Sequence, residues 1–273
     1  MKKFLIIGNP VDHSLSPTLH NYWFNKYKIE ANYILYGIDE TKIKAVVDKI
    51  RNKEIKGINV TIPYKQKVIP FLDKLVNDAK ETSSVNTIYL NEKNEVIGEN
   101  TDVYGLQAGY LKEIVDKKKN KKVLILGAGG VSPSVIVSLL KSDILDISLA
   151  NRTYEKSLFL KKKFSNLKIL KWDEIEKNVK DFEIIVNTTS LGLKNGEDFD
   201  LIFKKFKENL IYIDLIYNPL ETKMIKFFKL NQIKTYNGLD MLIYQGQKSF
   251  YLWNKINPEI DEKLINLLEK KIK

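Results

Sequence analysis

A chain of 273 residues, 44% of them hydrophobic, can bury a large core, either as one large domain or as two ordinary lobes, which is the expectation. It has no cysteine, so disulfides, thiolate nucleophiles and thiolate-bound zinc are excluded and a reducing, cytoplasmic compartment is expected; no apolar run approaches the roughly 18 residues of a membrane span, and none forms a leader after Met1. The formal charge of +11 would suit nucleic acid, but only Arg51 and Arg152 among 45 basic residues are arginine and the lysines are spread out, so solvated helix faces account for it.

Short apolar runs alternate with amphipathic stretches from end to end, without internal repeats, as an α/β fold requires. Strands are predicted over residues 4–7, 33–38 and 57–60, with helices over 17–27 and 42–51. Between the first strand and helix runs Gly8-Asn9-Pro10-Val11-Asp12-His13-Ser14-Leu15-Ser16-Pro17, where Ser16 reads as N-cap and Pro17 as first helical residue. His13 and His20 are the only histidines, too few for a His-rich metal site, and neither receives a catalytic role; no metal is expected. The third strand is broken at Pro63 and followed by Lys65, which alone reads as a solvated lysine. Strands over 85–90 and 96–98 flank the turn 91–94 as a hairpin, which makes the first sheet mixed. Asp102 opens a helix over 102–115 and by itself reads as an N-cap; spacing alone does not bring it to Lys65. The polar stretch 116–120 then marks a domain boundary.

A second series of strands, over 123–126, 146–150, 167–170, 183–187, 210–215 and 233–236, has doubly wound organisation. Gly127-Ala128-Gly129-Gly130 lies between a strand and a helix, the setting in which a glycine turn means a dinucleotide: a tight turn at Gly127, close backbone approach at Gly129, and helix N-terminal amides facing a pyrophosphate. Ser132 replaces the last glycine and is expected to hold the helix slightly farther from the strand; a ligand-free turn is the bland alternative. The next strand ends at Asn151-Arg152-Thr153, where NAD-binding folds place an acid; a guanidinium and a hydroxyl suit the 2′-phosphate of NADP instead, against the alternative of a surface arginine. Asn187-Thr188-Thr189-Ser190-Leu191-Gly192 ends another strand and reads either as a crevice wall or as a polar loop. Helices over 240–253 and 258–271 have no partner strand and must pack on what is already built.

Taken in order, these motifs resemble the shikimate dehydrogenase family over nearly the whole chain. The resemblance rests on Ser14 to Pro17, Asn59 to Pro63 with Lys65, Ser84 to Thr87, Asn100 to Asp102, the glycine turn, Asn151 to Thr153 and Asn187 to Ser190, and continues through Asp214 to Pro219, Asn237 to Leu242 and Tyr244-Gln245-Gly246. It implies NADPH-dependent, reversible reduction of 3-dehydroshikimate to shikimate, with Lys65 and Asp102 as the catalytic pair. Ser14, Ser16 and Tyr217 would surround the substrate carboxylate, and Thr61, Asn86, Asp102 and Gln245 its ring hydroxyls. The cofactor would meet Gly127, Ala128, Gly129, Gly130, Asn151, Arg152, Thr153, Thr188, Thr189, Ser190, Leu215 and Gly238. A mixed-sheet substrate domain of residues 1–103 and 238–273 is implied, with the C-terminal helices packing back on it, around a Rossmann-like NADP-binding domain of residues 104–237. A homodimer is compatible with this reading. Its rivals are a quinate-accepting relative with relaxed cofactor use and a non-catalytic Rossmann-like binding protein.

Overall fold

The computed structural model describes residues 1–114, 121–193 and 196–272. It divides into two compact units, Met1–Leu106 with Leu242–Lys271, and Gln107–Met241. The boundary expected at 116–120 and the lysines at 117–119 lie outside the described residues.

The first unit runs β1 (Lys2–Gly8), α1 (Ser16–Lys26), β2 (Ala31–Gly37), α2 (Ile43–Arg51), β3 (Gly57–Val60), β4 (Lys74–Leu75), α3 (Asp78–Thr82), β5 (Thr87–Leu90), β6 (Val96–Glu99) and α4 (Asp102–Leu106). Its sheet has the order β2-β1-β3-β5-β6-β4. β1 is parallel to β2 and β3, whereas β5 runs antiparallel to both β3 and β6, so the sheet is mixed as expected. The inner strands β1, β3 and β6 are buried on both faces, whereas the edge strand β2 is largely exposed, and period-2 alternation assigns each side chain to one of two layers. Leu5, Ile7, Ile58 and Val60 join the α2 stripe Ile43, Val46, Val47 and Ile50, spaced i, i+3, i+4, i+7. Phe4, on the other face, packs against Phe24 and Trp253 with ring centroids 4.9 and 5.1 Å away. Gly57 lies directly under Trp253, where a Cβ would come within 2.4 Å of the indole.

In the second unit the helical stretch begun at Asp102 continues through a π turn, Gln107–Leu111, into α5 (Lys112–Ile114). Then follow β7 (Lys122–Leu126), α6 (Ser132–Leu140), β8 (Asp146–Ala150), α7 (Tyr154–Lys163), β9 (Lys168–Leu170), α8 (Ile175–Asn178), β10 (Ile184–Asn187), β11 (Ile211–Asp214), α9 (Lys223–Leu230) and β12 (Lys234–Tyr236). The order β12-β11-β10-β7-β8-β9 is parallel throughout, the doubly wound arrangement with its switch point between β7 and β10. The strandless tail forms α10 (Leu239–Asn254) and α11 (Glu262–Lys271), and from Leu242 it belongs to the first unit, where Trp253 Nε1 donates to Ile88 O at 3.2 Å.

Two capping expectations are corrected. Ser16 lies inside α1 and its side chain makes no cap bond; its own N–H donates to Ser14 Oγ at 3.2 Å. Asp102 does not cap α4 either, because Asn100 Oδ1 accepts from the N–H groups of Asp102 and Val103 at 3.0 and 3.4 Å, satisfying the first-turn donors and leaving the Asp102 carboxylate free for other partners. β4 and α3 were not expected: two and five residues are too short to show a period.

His20 is fully buried in the α1 face, stacked on Tyr33 at 4.5 Å and edge-on to Trp23, with neither ring nitrogen hydrogen-bonded. Desolvation lowers its pKa from 6.5 to about 3. Below pH 6.5 the unfolded chain therefore binds a proton that the folded chain does not, so this residue's contribution to stability is intact above that pH and is lost as pH falls toward 3, by up to about 1.4 kcal/mol per unit. Denaturant unfolding of the parent and His20→Phe at pH 7 and pH 4.5 is expected to show about 2–3 kcal/mol more acid loss in the parent; equal losses would refute the assignment to His20.

Candidate active site

Strand direction alone gathers the first group of residues. β1, β3 and β6 point one way, so their C-terminal ends, followed by Ser14, Thr61 with Lys65, and Asp102, share one edge of the sheet; β5 points the other way, and its N-terminal end brings Asn86 to the same edge. Ile7 pairs with Val60 in register, which sets Gly8 beside Thr61, so close that a Cβ on Gly8 would meet the Thr61 methyl at 2.4 Å.

At that edge Lys65 Nζ donates to Asp102 Oδ2 at 2.6 Å, with the two side chains only 13% and 5% exposed. Asp102 Oδ1 accepts from Asn86 Nδ2 at 2.8 Å, and the same amide nitrogen lies 3.4 Å from Gln245 Oε1. Gln245 is fixed in turn by its Nε2 donating to Leu242 O at 2.8 Å. Asn86 Oδ1 accepts from the N–H and hydroxyl of Thr101 and from the Thr87 hydroxyl, behind which Ser249 and Asn59 complete a buried polar layer. Lys65, Asp102, Asn86 and Gln245 thus form one bonded array. Ser14 and Ser16 form another small group, hydroxyl to hydroxyl at 3.1 Å. Glu99, at the end of β6, is a further buried acid; burial raises its pKa, while Asn77 Nδ2 and the Asn100 N–H stabilise its carboxylate.

In the second unit the glycine turn and the Thr188 segment leave the adjacent strands β7 and β10 at the switch point, where doubly wound sheets bind ligands. Gly127 has φ +108°, and a Cβ there would lie 2.6 Å from Thr188 Oγ1, so glycine is required. At Gly129 and Gly130 a Cβ would meet nothing nearer than 4.0 Å, so their backbone offers the close approach that a pyrophosphate needs. Ser132 is fully buried and bonds into the turn, donating to Gly127 O at 3.0 Å and sharing a hydrogen bond with Thr188 Oγ1 at 2.9 Å; it fastens the helix rather than only standing in for a glycine.

Asn151 Oδ1 accepts from Ala128 N at 3.1 Å, so Asn151 helps to build the glycine turn. Arg152 is exposed, and its Nη1 pairs with Glu197 Oε2 at 2.8 Å, an acidic partner 45 residues away that no local pattern announces. The ion pair is solvent-exposed and worth at most about 1 kcal/mol, which a phosphate can outcompete. Thr153 occupies the N-cap position of α7 without a side-chain cap bond. Thr189 N and Oγ1 both donate to Asn187 Oδ1, and Ser190 is exposed beside them. Gly238 packs so tightly on Leu215 that a Cβ would lie 2.1 Å from its carbonyl oxygen, and Tyr217 follows on the same loop.

A doubly wound unit whose glycine turn sits at the switch point, in a chain that also carries a buried lysine–aspartate pair, defines the class of nicotinamide-dependent α/β dehydrogenases. Residues 6–88 match the family model described as the shikimate dehydrogenase substrate binding domain, and residues 110–235 match that described as shikimate / quinate 5-dehydrogenase. A shikimate dehydrogenase (NADP(+)) of Pelagibacter ubique is 46% identical over 98% of this chain and 99% of its own, and one from Methanococcus aeolicus is 38% identical over 94% and 93%. A crystal structure of a shikimate dehydrogenase in complex with NADP+ superposes with a TM-score of 0.91 at 35% identity, covering 100% of this chain and 96% of that one. The Thermus thermophilus enzyme in complex with NADP(H) and shikimate has a TM-score of 0.86 at 26% identity, covering 100% and 98%. The chain belongs to the shikimate dehydrogenase family.

Ser132→Ala is expected to lower the unfolding free energy by about 1 kcal/mol through the lost hydroxyl bonds, and Ser132→Gly by up to about 1 kcal/mol more through helix entropy. Denaturation curves as stable as the parent's would mean that the serine does not fasten the turn.

Proposed function

We propose that this protein is an NADP-dependent oxidoreductase catalysing the reversible reduction of 3-dehydroshikimate to shikimate, on the route to chorismate and the aromatic amino acids. The observation that carries the reading is the bonded array of Lys65, Asp102, Asn86 and Gln245 at one sheet edge, in a chain of this family. Residues 1–103 and 238–273 form the substrate domain in this proposal and residues 104–237 the cofactor domain. A cytoplasmic location and a homodimer remain part of it, the latter to be read by light scattering after gel filtration.

The fit to the cofactor rests on Gly127 to Gly130, on Arg152 for a 2′-phosphate, and on the Thr188 to Ser190 turn with Leu215 and Gly238 lining the same strand ends. When bound, NADPH supplies the hydride that reduces the substrate's 3-keto carbon. Lys65 Nζ donates the proton that the carbonyl oxygen takes up as it becomes a hydroxyl, and its ammonium stabilises the negative charge before that transfer. Asp102 orients the amine through Oδ2 and is itself held through Oδ1 by Asn86, which fixes the donor within reach of one oxygen. Thr61, Asn86 and Gln245 supply donors and acceptors for ring hydroxyls, and the hydroxyls of Ser14, Ser16 and Tyr217 suit a carboxylate.

Nicotinamide absorbance followed with shikimate or quinate and with either cofactor tests the reading: turnover is expected with shikimate and NADP, and activity confined to quinate, or absent with every pair, would sink it. Lys65→Ala should lower kcat by about 10²- to 10⁴-fold; a variant that weakens only substrate binding would remove Lys65 from the chemistry. Arg152→Ala should shrink the NADPH-over-NADH preference in kcat/KM by about tenfold or more, the worth of a hydrogen bond to a charged group, and an unchanged ratio would overturn its role.

A further inference from the structure

Beyond the residues that would touch ligand, the second unit contains a buried carboxylate without a cationic partner among its bonds. Asp214, the last residue of β11, is fully buried, and its two oxygens accept four hydrogen bonds from neutral donors. Oδ1 accepts from Asn187 Nδ2 at 2.9 Å and from the Ile216 N–H at 3.1 Å; Oδ2 accepts from the Thr222 hydroxyl at 2.8 Å and the Tyr212 hydroxyl at 3.2 Å. That fills the acceptor capacity of an ionised carboxylate. Asn187 is its register partner at the end of β10, likewise fully buried, and its Oδ1 holds the Thr189 N–H and hydroxyl at 2.9 and 2.7 Å. Leu215 N–H donates to Asn187 O at 3.1 Å, and Gly238 N–H to Ile216 O at 2.8 Å. The two strand-end turns proposed to line the cofactor, after β10 and after β11, are therefore tied to one another through this pair.

We infer that Asp214, acting through Asn187, is a positioning residue for the dinucleotide: it fixes the Thr188–Ser190 turn and the Leu215 turn in one relative geometry without touching the cofactor itself. The inference rests on the proposed NADP site. A carboxylate suits the task because its partners, an amide nitrogen, a backbone N–H and two hydroxyls, all serve as donors, and an uncharged acceptor with one oxygen cannot take four. Burying it costs desolvation, which only a fully satisfied network offsets, and such a network rigidifies what it joins. Asparagine at 214 keeps the functional half of the arrangement: its oxygen can face Asn187 and Ile216 while its amide faces the two hydroxyls, which can turn to accept. Alanine keeps neither half.

Binding of NADPH by fluorescence titration, alongside thermal unfolding, tests this in four variants. Asp214→Ala and Asn187→Ala should each weaken NADPH binding about tenfold or more, and Asp214→Asn should stay within threefold of the parent. Thr222→Ala removes the bond from its hydroxyl to Asp214 Oδ2 and the cap bond that hydroxyl accepts from the Ile225 N–H at the start of α9, but leaves the Asp214–Asn187 link in place, so it should lower the unfolding midpoint and leave NADPH affinity within twofold. If Asp214→Ala does not fold, Asn187→Ala against Thr222→Ala decides. Unchanged affinity in Asn187→Ala, or an equal loss in Thr222→Ala, overturns the inference and leaves a structural role only. A parent chain that does not bind NADPH at all overturns the cofactor reading, and the inference with it; a parent that binds while Asn187→Ala binds equally well overturns the inference alone.

Discussion

The ion pair between Lys65 and Asp102 is the constraint on which the first unit is organised. Neither side chain is more than 13% exposed, and charges removed from water are tolerated only with excellent geometry and every remaining lone pair satisfied. The surrounding sequence meets that demand residue by residue. Asn100 takes over the helix cap, so that the Asp102 carboxylate is spared for the lysine. Asn86 supplies the second donor to that carboxylate; Thr101 and Thr87 donate to its amide oxygen, Asn59 to its backbone carbonyl, and Ser249 bonds Thr87 and Thr101 behind them. The cost of burying the pair is thus spread over a polar layer reaching from the sheet edge to α10.

The second unit solves a related problem with no ion pair. Its strand ends hold a buried acid among neutral donors, and burial raises the Asp214 pKa although the Thr222 hydroxyl, the Ile216 N–H and the Asn187 amide oppose the shift. The glycine turn is fastened in the same manner by uncharged groups, with Ser132 and Thr188 beneath it and Asn151 beside it. Under the proposed function, a surface that receives a polyanion gains from this economy: Arg152, at the end of the next strand, is an exposed cation whose acidic partner Glu197 is itself exposed.

Much of this was legible in the sequence, because periodicity reports burial. The stripe of α2, the bare apolar strands of the second sheet and the hairpin around 91–94 all declare themselves locally. The glycine turn does too, since φ +108° at Gly127 narrows the choice of residue. What stayed hidden is non-local or too short to have a period. Lys65 and Asp102 are 37 positions apart and are joined by strand direction, while Asn86 and Gln245 are 159 apart and are joined by the return of α10 to the first unit. Local rules also misassigned Ser16 and Asp102 as caps, because they see an eligible side chain and not a competing neighbour such as Asn100. Glu197 could not be anticipated, since nothing in its own surroundings marks it as the partner of Arg152.

The reversed strand β5 has a consequence for handling the protein. Reversal delivers Asn86 and Asp102 to the working edge of the sheet, and it sends the connecting turn at Asn91 to Asn94 to the opposite edge. That turn is closed by its own bonds, Asn91 N–H to Glu95 O and Asn94 N–H to Asn91 O. It is a surface position where an affinity peptide or a fluorophore can be attached remote from the lysine–aspartate pair, so that immobilised or labelled protein keeps its chemical groups undisturbed.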